Sequence, residues 1–156
     1  MDAIELLTQD HRKVDQLFKQ FEKVKDDEDA AAELIEAACM ELQIHDTIET
    51  EIFYPGVREQ AEEDELEDLL NEAEVEHDTV RELIDKLEGI DDDMEKQHAH
   101  FKVLMEYVKH HVKEEEEEMF PQLKELENLD LQALGAEMSK RKSELQAELG
   151  AEAAAT

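Results

Sequence analysis

The chain has 156 residues, with 46 Asp and Glu against 16 Lys and Arg for a formal net charge of −30, so its surface repels nucleic acid and anionic membranes. One Cys excludes an internal disulfide framework. No apolar run is long enough to span a bilayer, and the N-terminal MDAIELLTQD carries no basic-then-apolar leader, so a soluble cytoplasmic protein is expected.

Good helix formers dominate, and only four Gly and two Pro interrupt them. Asp2 and Glu5 read as a capping box opening a first helix. Its apolar face runs through Ile4, Leu7, Val14, Phe18 and Phe21, with His11 filling the gap in the stripe, and the helix ends near Lys25. The Asp26–Asp29 turn caps a second helix from about Ala30 to Phe53, with Leu34, Ala38, Leu42 (or Glu41), His45, Glu49 and Ile52 facing inward. Pro55-Gly56 bends or ends it. A third helix spans about Asp64 to Glu88, with Leu66, Leu70, Ala73, His77, Val80, Ile84 and Leu87 on one face. Asp91 to Asp93 open a fourth, with Phe101, Leu104, Val108, His111, Glu115 and Met119 in line. A shorter fifth helix, from about Leu131 to Leu149, carries a weaker stripe suited to packing on the outside. The expected architecture is an all-α, up-down-up-down antiparallel four-helix bundle with a short additional C-terminal helix. Residues 1–149 form the domain and 150–156 a flexible tail.

Shifted by 66 residues, the sequence matches itself without a gap. His11 falls on His77, His45 on His111, Glu49 on Glu115 and Pro55 on Pro121. Each copy is a helical hairpin with a lone His on its first helix and His-x-x-x-Glu on its second. Positions i and i+4 share a helix face about 6 Å apart, so His45 with Glu49, and His111 with Glu115, can grip metal from successive turns. Four imidazoles and two carboxylates meeting at mid-bundle suit two ions roughly 3.5–4 Å apart, with the carboxylates as natural bridges. Imidazole and carboxylate together admit iron, manganese or zinc. Burying such carboxylates without a cation would cost several kcal/mol, which favours a metal over a merely structural layer.

The segments Asp10-His11, His45-Asp-Thr-Ile-Glu49 through Pro55, Glu76-His77-Asp78, and His111-Val-Lys-Glu-Glu115 through Pro121 resemble the hemerythrin-like, or HHE cation-binding, family over residues 1–145. The resemblance implies a non-haem di-iron centre, oxo- or hydroxo-bridged, with His11, His45, Glu49, His77, His111 and Glu115 as ligands. It also implies reversible binding or reduction of dioxygen or a related diatomic. With open positions in the ligand set, the leading expectation is a protein that binds or senses dioxygen, peroxide or nitric oxide, with a redox partner yet to be identified. The oxygen carriers of the family have a further His where this chain has Arg81, and an Asp where it has Glu116. The pattern is therefore that of the more symmetric bacterial version, with Asp46, Glu74 or solvent as candidates for the missing ligand. A di-iron redox enzyme acting on peroxide or nitric oxide, an iron storage or repair protein, and a structural metal-binding bundle are the alternatives.

The remaining polar residues read more simply. His98, His100 and His110 fall outside the inward stripe and are surface residues. Glu51 and Glu117 are candidates to orient a ligand His. Tyr54 and Tyr107 are packing residues, with Tyr107 one turn from His111 and able to approach a bound ligand. Cys39 is a small buried hydrophobe, and Lys140-Arg141-Lys142 is the one basic cluster.

Overall fold

The computed structural model describes residues 1–61 and 64–155. Four antiparallel rods make the bundle. The first is α1 (Ala3–Val24). The second is α2 (Glu28–Ile48), which runs through a π-helical turn, π1 (Glu49–Phe53), into α3 (Tyr54–Gln60). The third is α4 (Asp64–Glu88). The fourth is α5 (Met94–Glu114), which runs through a second π turn, π2 (Glu115–Met119), into α6 (Phe120–Lys124). The expected caps are in place. Asp2 accepts from the Glu5 amide at 2.9 Å, Asp27 from Ala30 at 3.3 Å and Asp93 from Lys96 at 3.1 Å.

Of the two outcomes open at Pro55-Gly56, a bend or an end, the second rod does not end; the helix widens and continues. A proline in an α-helix loses its own hydrogen bond and its ring crowds the carbonyl four residues back. The turn before it relaxes to the wider pattern, with the Tyr54 amide bonding the Glu49 carbonyl five residues back. The same happens before Pro121, where the Phe120 amide bonds the Glu115 carbonyl. At about 100° per residue, a regular helix would turn position 54 roughly 140° away from Glu49. The extra residue brings it back, so Phe53 and Tyr54 are buried and Ile52, expected inward, is only half-buried.

A fifth long helix, α7 (Leu131–Ala155), packs on α1, α2 and π1. Its 25 residues match α4 in length and run past the Leu149 end read from its stripe, since Ala-rich sequence favours continuation. It also explains why α1 and α2 bury more than one face. Ala3, Leu6, Ile44 and Ile48 join Leu134, Met138 and Leu145 in one apolar cluster. A second cluster, from Val14, Phe18 and Phe21 to Phe101, Leu104 and Val108, fills the other end of the bundle.

The α7 contact depends on a glycine. A Cβ on Gly135 would lie 2.5 Å from the Met1 carbonyl oxygen and 2.8 Å from the Ala3 nitrogen, so backbone would have to move. Gly135→Ala is expected to destabilise the chain by about 1–3 kcal/mol in urea unfolding. Gly150, with nothing within 4 Å of its Cβ position, is the control. Its replacement by Ala is expected to gain about 0.5–1 kcal/mol of helix propensity. Equal effects at the two positions would contradict the close packing.

Candidate metal centre

Between the two apolar clusters lies a layer of buried polar side chains: Asp10, His11, His45, Glu49, His77, His111 and Glu115. All six residues singled out by the repeat converge there. Two compact groups form, His11 with His45 and Glu115, and Glu49 with His77 and His111; within each, the possible donor atoms lie within 4.8 Å of one another. Each group therefore takes both imidazoles from one hairpin and the carboxylate from the other. The i, i+4 pairs are close as well, with His45 Nε2 at 2.9 Å from Glu49 Oε1 and His111 Nε2 at 3.3 Å from Glu115 Oε2. Glu49 Oε1 also lies 3.1 Å from His77 Nε2, and Glu115 Oε1 lies 3.2 Å from His11 Nε2. Both carboxylates thus touch both groups, the arrangement a bridging ligand needs.

Behind each imidazole sits another carboxylate. His11 Nδ1 donates to Glu116 at 2.7 Å and His45 Nδ1 to Asp10 at 3.0 Å. His77 Nδ1 donates to Asp46 at 2.6 Å and His111 Nδ1 to Glu76 at 3.1 Å. With Nδ1 committed to donation, each Nε2 points a lone pair into the layer, and the ring is fixed and made more basic.

The layer needs positive charge. His11 Nε2, His45 Nε2, Glu49 Oε1 and Glu115 Oε1 are buried and have no aligned hydrogen bond, although they face one another. Neutral Nε2 and carboxylate oxygen are both acceptors, so a cation between them is the fitting partner. Protons meet the same need in the metal-free chain. Burial would lower the His45 pKa, but Glu49 and Asp10 lift it to about 10. His111 rises well above its ordinary value against the same burial, through Glu115, Glu49 and Glu76. Burial would raise Glu49, yet His45, His111 and His77 hold it well below the usual carboxylate range. A metal ion would take the place of these protons on binding.

The family model described as the hemerythrin HHE cation binding domain matches residues 2–149. The chain belongs to the hemerythrin HHE family. It is also similar to the crystal structure of a hemerythrin HHE cation binding domain-containing protein from Mycobacterium kansasii. The TM-score is 0.77 at 20% identity, covering 95% of this chain and 89% of that one. At that identity the likeness concerns the fold. No curated protein matches.

Within this HHE domain several second-rank expectations need correction. The carboxylates that orient the imidazoles are Asp10, Asp46, Glu76 and Glu116. Glu51 instead pairs with Arg141 at 2.9 Å, and Glu117 is exposed. The signal was adjacency. Each orienting carboxylate is next in sequence to a candidate ligand, and one residue turns a helix by about 100°, onto the back of the neighbouring helix's imidazole. Neither Asp46 nor Glu74 is aimed at the centre as a substitute ligand. Asp46 is held between His77 and Arg81, the latter at 2.7 Å, and Glu74 pairs with Arg58. Arg81, at the position of the carriers' fifth His, braces that carboxylate and is half-exposed.

Tyr54 is the residue that sequence reasoning undervalued. It is fully buried, and its hydroxyl lies 2.8 Å from Glu115 Oε2 and 3.1 Å from both Glu49 Oε2 and His77 Nε2. Burial and the two carboxylates push its pKa well above 10, so it is a phenol at neutral pH. The repeat held a clue, since Tyr54 aligns with Phe120, which stacks on His11 at a centroid distance of 6.1 Å. Tyr107 is exposed and away from the centre. His110 is also exposed, pairing with Glu76 and Glu114, while His111 is buried, as the offset required. Cys39 is buried, and burial lifts its thiol to about 12. Among the described residues, no helix is long and apolar enough to cross a membrane.

Proposed function

We propose that this HHE domain holds two iron ions between its helices and binds or senses dioxygen, peroxide or nitric oxide there. His11, His45 and Glu115 would hold one ion and Glu49, His77 and His111 the other, with both carboxylates spanning the pair. The carrying observation is the pair of three-residue groups, which leave positions free on each ion. A small apolar cavity of about 40 Å³ reaches the imidazoles from the Val14, Leu42, Val80, Val108 and Val112 side. Its walls suit a small, weakly polar ligand and offer water little to bond. When bound, a pair of irons supplies reversible one-electron chemistry and open coordination positions. The chain's own part is to fix the imidazoles, exclude water and keep a proton at hand.

That proton favours a second reading, a redox enzyme acting on peroxide. The Tyr54 hydroxyl, 2.8 Å from Glu115, is positioned as a donor beside the reacting volume. Sustained peroxide turnover that falls in Tyr54→Phe while metal content holds would favour the enzyme; a single stoichiometric reaction would favour the binder.

The first test is anaerobic Fe(II) loading, iron counted per chain, and a spectrum taken on admitting air. Two irons and new charge-transfer absorption, both lost in His77→Ala, are expected. No uptake, or uptake indifferent to His77, would overturn the di-iron reading.

A further inference from the structure

The one basic cluster of this acidic chain is not spread on a free surface. It sits on α7, where two of its members reach different rods. Arg141 Nε lies 2.9 Å from Glu51 of π1, and Lys142 Nζ lies 2.5 Å from Asp10 Oδ1 of α1. Asp10 is buried, and its other oxygen, Oδ2, accepts from His45 Nδ1 at 3.0 Å. One carboxylate is therefore clamped on both sides, by a lysine from outside the bundle and by an imidazole of the centre.

The internal repeat supplies the comparison. Glu76 is the counterpart of Asp10, 66 residues on, and it accepts from His111 Nδ1 at 3.1 Å just as Asp10 accepts from His45. Among the described residues, however, no lysine or arginine pairs with Glu76; its other oxygen lies 3.4 Å from exposed His110. The remaining orienting carboxylates do not differ in this way, since Glu116 has Arg12 and Asp46 has Arg81. The asymmetry comes from α7, which lies outside the repeat and packs on α1, α2 and π1 of the first hairpin.

We propose that the C-terminal helix governs the metal position at His45 through Lys142, a positioning residue, and so makes the two metal positions unequal. The inference rests on the two-metal reading above. Lys142 fixes the rotation of the Asp10 carboxylate, and Asp10 in turn fixes the His45 ring. Without Lys142, Oδ1 is a buried acceptor with no donor, and the carboxylate gains by turning away from His45 toward water. The His45 imidazole then loses the partner that holds its Nε2 on the metal. Losing such outer contacts typically weakens metal affinity about 10–100-fold. The position built on His77 and His111 keeps its contacts. The lever is rigid, because Leu134, Met138 and Leu145 anchor α7 in the core and Gly135 lets it seat against the backbone of α1.

The test is a Co(II) titration of the full chain, resolved into two steps, with the His45 step identified as the one lost in His45→Ala. In Lys142→Met that step is expected to weaken about tenfold or more while the other stays within about twofold. Lys142→Arg should restore it, and Lys140→Met, at an exposed position of the same helix, should leave both steps alone. In metal-free protein the His45 Nδ1 proton resonance should move in Lys142→Met, with that of His111 unchanged. Both steps unaltered in Lys142→Met would overturn the inference, as would equal weakening of both with a lower melting temperature, the mark of a merely structural ion pair. A wild-type chain that takes up no metal would overturn the two-metal reading with it. A two-step wild type with an indifferent Lys142→Met overturns this inference alone.

Discussion

Removing the metal from the loaded protein with a chelator is expected to lower its melting temperature by roughly 10 °C per ion while leaving it helical. The size follows from mass action. A ligand that binds only the folded chain, at about a thousand times its Kd, adds about 4 kcal/mol, and a chain of this size shifts by about 2–4 °C per kcal/mol. Survival of the fold follows from the two apolar clusters, which flank the polar layer and do not depend on it. It also follows from the protons that the layer can hold. Burial disfavours charge on His45, His77 and His111, but the facing carboxylates outweigh burial and keep all three pKa values raised. The metal-free layer is thus compensated, less well than by a divalent ion but enough to avoid collapse. Thermal melts followed by far-UV circular dichroism, with and without iron, read both halves of this expectation. A shift below about 2 °C at saturating iron would show that the layer does not hold metal tightly in the folded chain. Loss of helix on chelation would show that the apolar clusters are insufficient.

Much of this was legible in the sequence because two regularities coincide. The stripe through Leu66, Leu70, Ala73, His77, Ile84 and Leu87 obeys a plain helical period, and each of these residues is buried. The 66-residue offset agreed with the stripe in choosing His111 over the adjacent His110, and His111 is the buried one. The failures fall where the helix departs from 3.6 residues per turn. In π1 the expected Ile52 is half-buried, and Tyr54 takes the inward place, because the added residue rotates everything that follows. A proline after the ligand turn was the visible sign, read as a bend or an end when it marks a widened turn. The orienting carboxylates were missed for another reason. Asp10 and Glu76 serve imidazoles on a neighbouring rod, so their adjacency to a ligand becomes informative only once the rods are placed side by side. Lys142 is harder still, since α7 has no counterpart in the repeat and its docking on α1 depends on a glycine whose role only the packed backbone reveals.

Glu49→Ala is expected to have the largest effect of any single substitution, on metal and on stability together. The side chain is wholly inaccessible, and Oε1 alone lies 2.9 Å from His45, 3.1 Å from His77 and 3.8 Å from His111. Its other oxygen lies 3.1 Å from the Tyr54 hydroxyl. Truncation removes a carboxylate that faces both metal positions, so uptake should fall from two ions per chain to one or none. It also acts on the metal-free chain. Removing one partner of a buried charge cluster typically costs about 3–5 kcal/mol. Here the cost should lie near the lower end, because an imidazole, unlike an arginine, can shed its proton when its counter-charge is lost. Glu49→Gln separates the two effects. It keeps the volume and one oxygen acceptor, so packing and the Tyr54 contact should survive, yet it lacks the charge to bridge two cations. Urea unfolding of the chelated proteins should therefore rank wild type above Glu49→Gln and Glu49→Ala lowest, while iron counts fall in both variants. Two irons retained in Glu49→Ala would remove this carboxylate from the bridge. Metal-free Glu49→Ala as stable as wild type would show that the raised imidazoles do not depend on it.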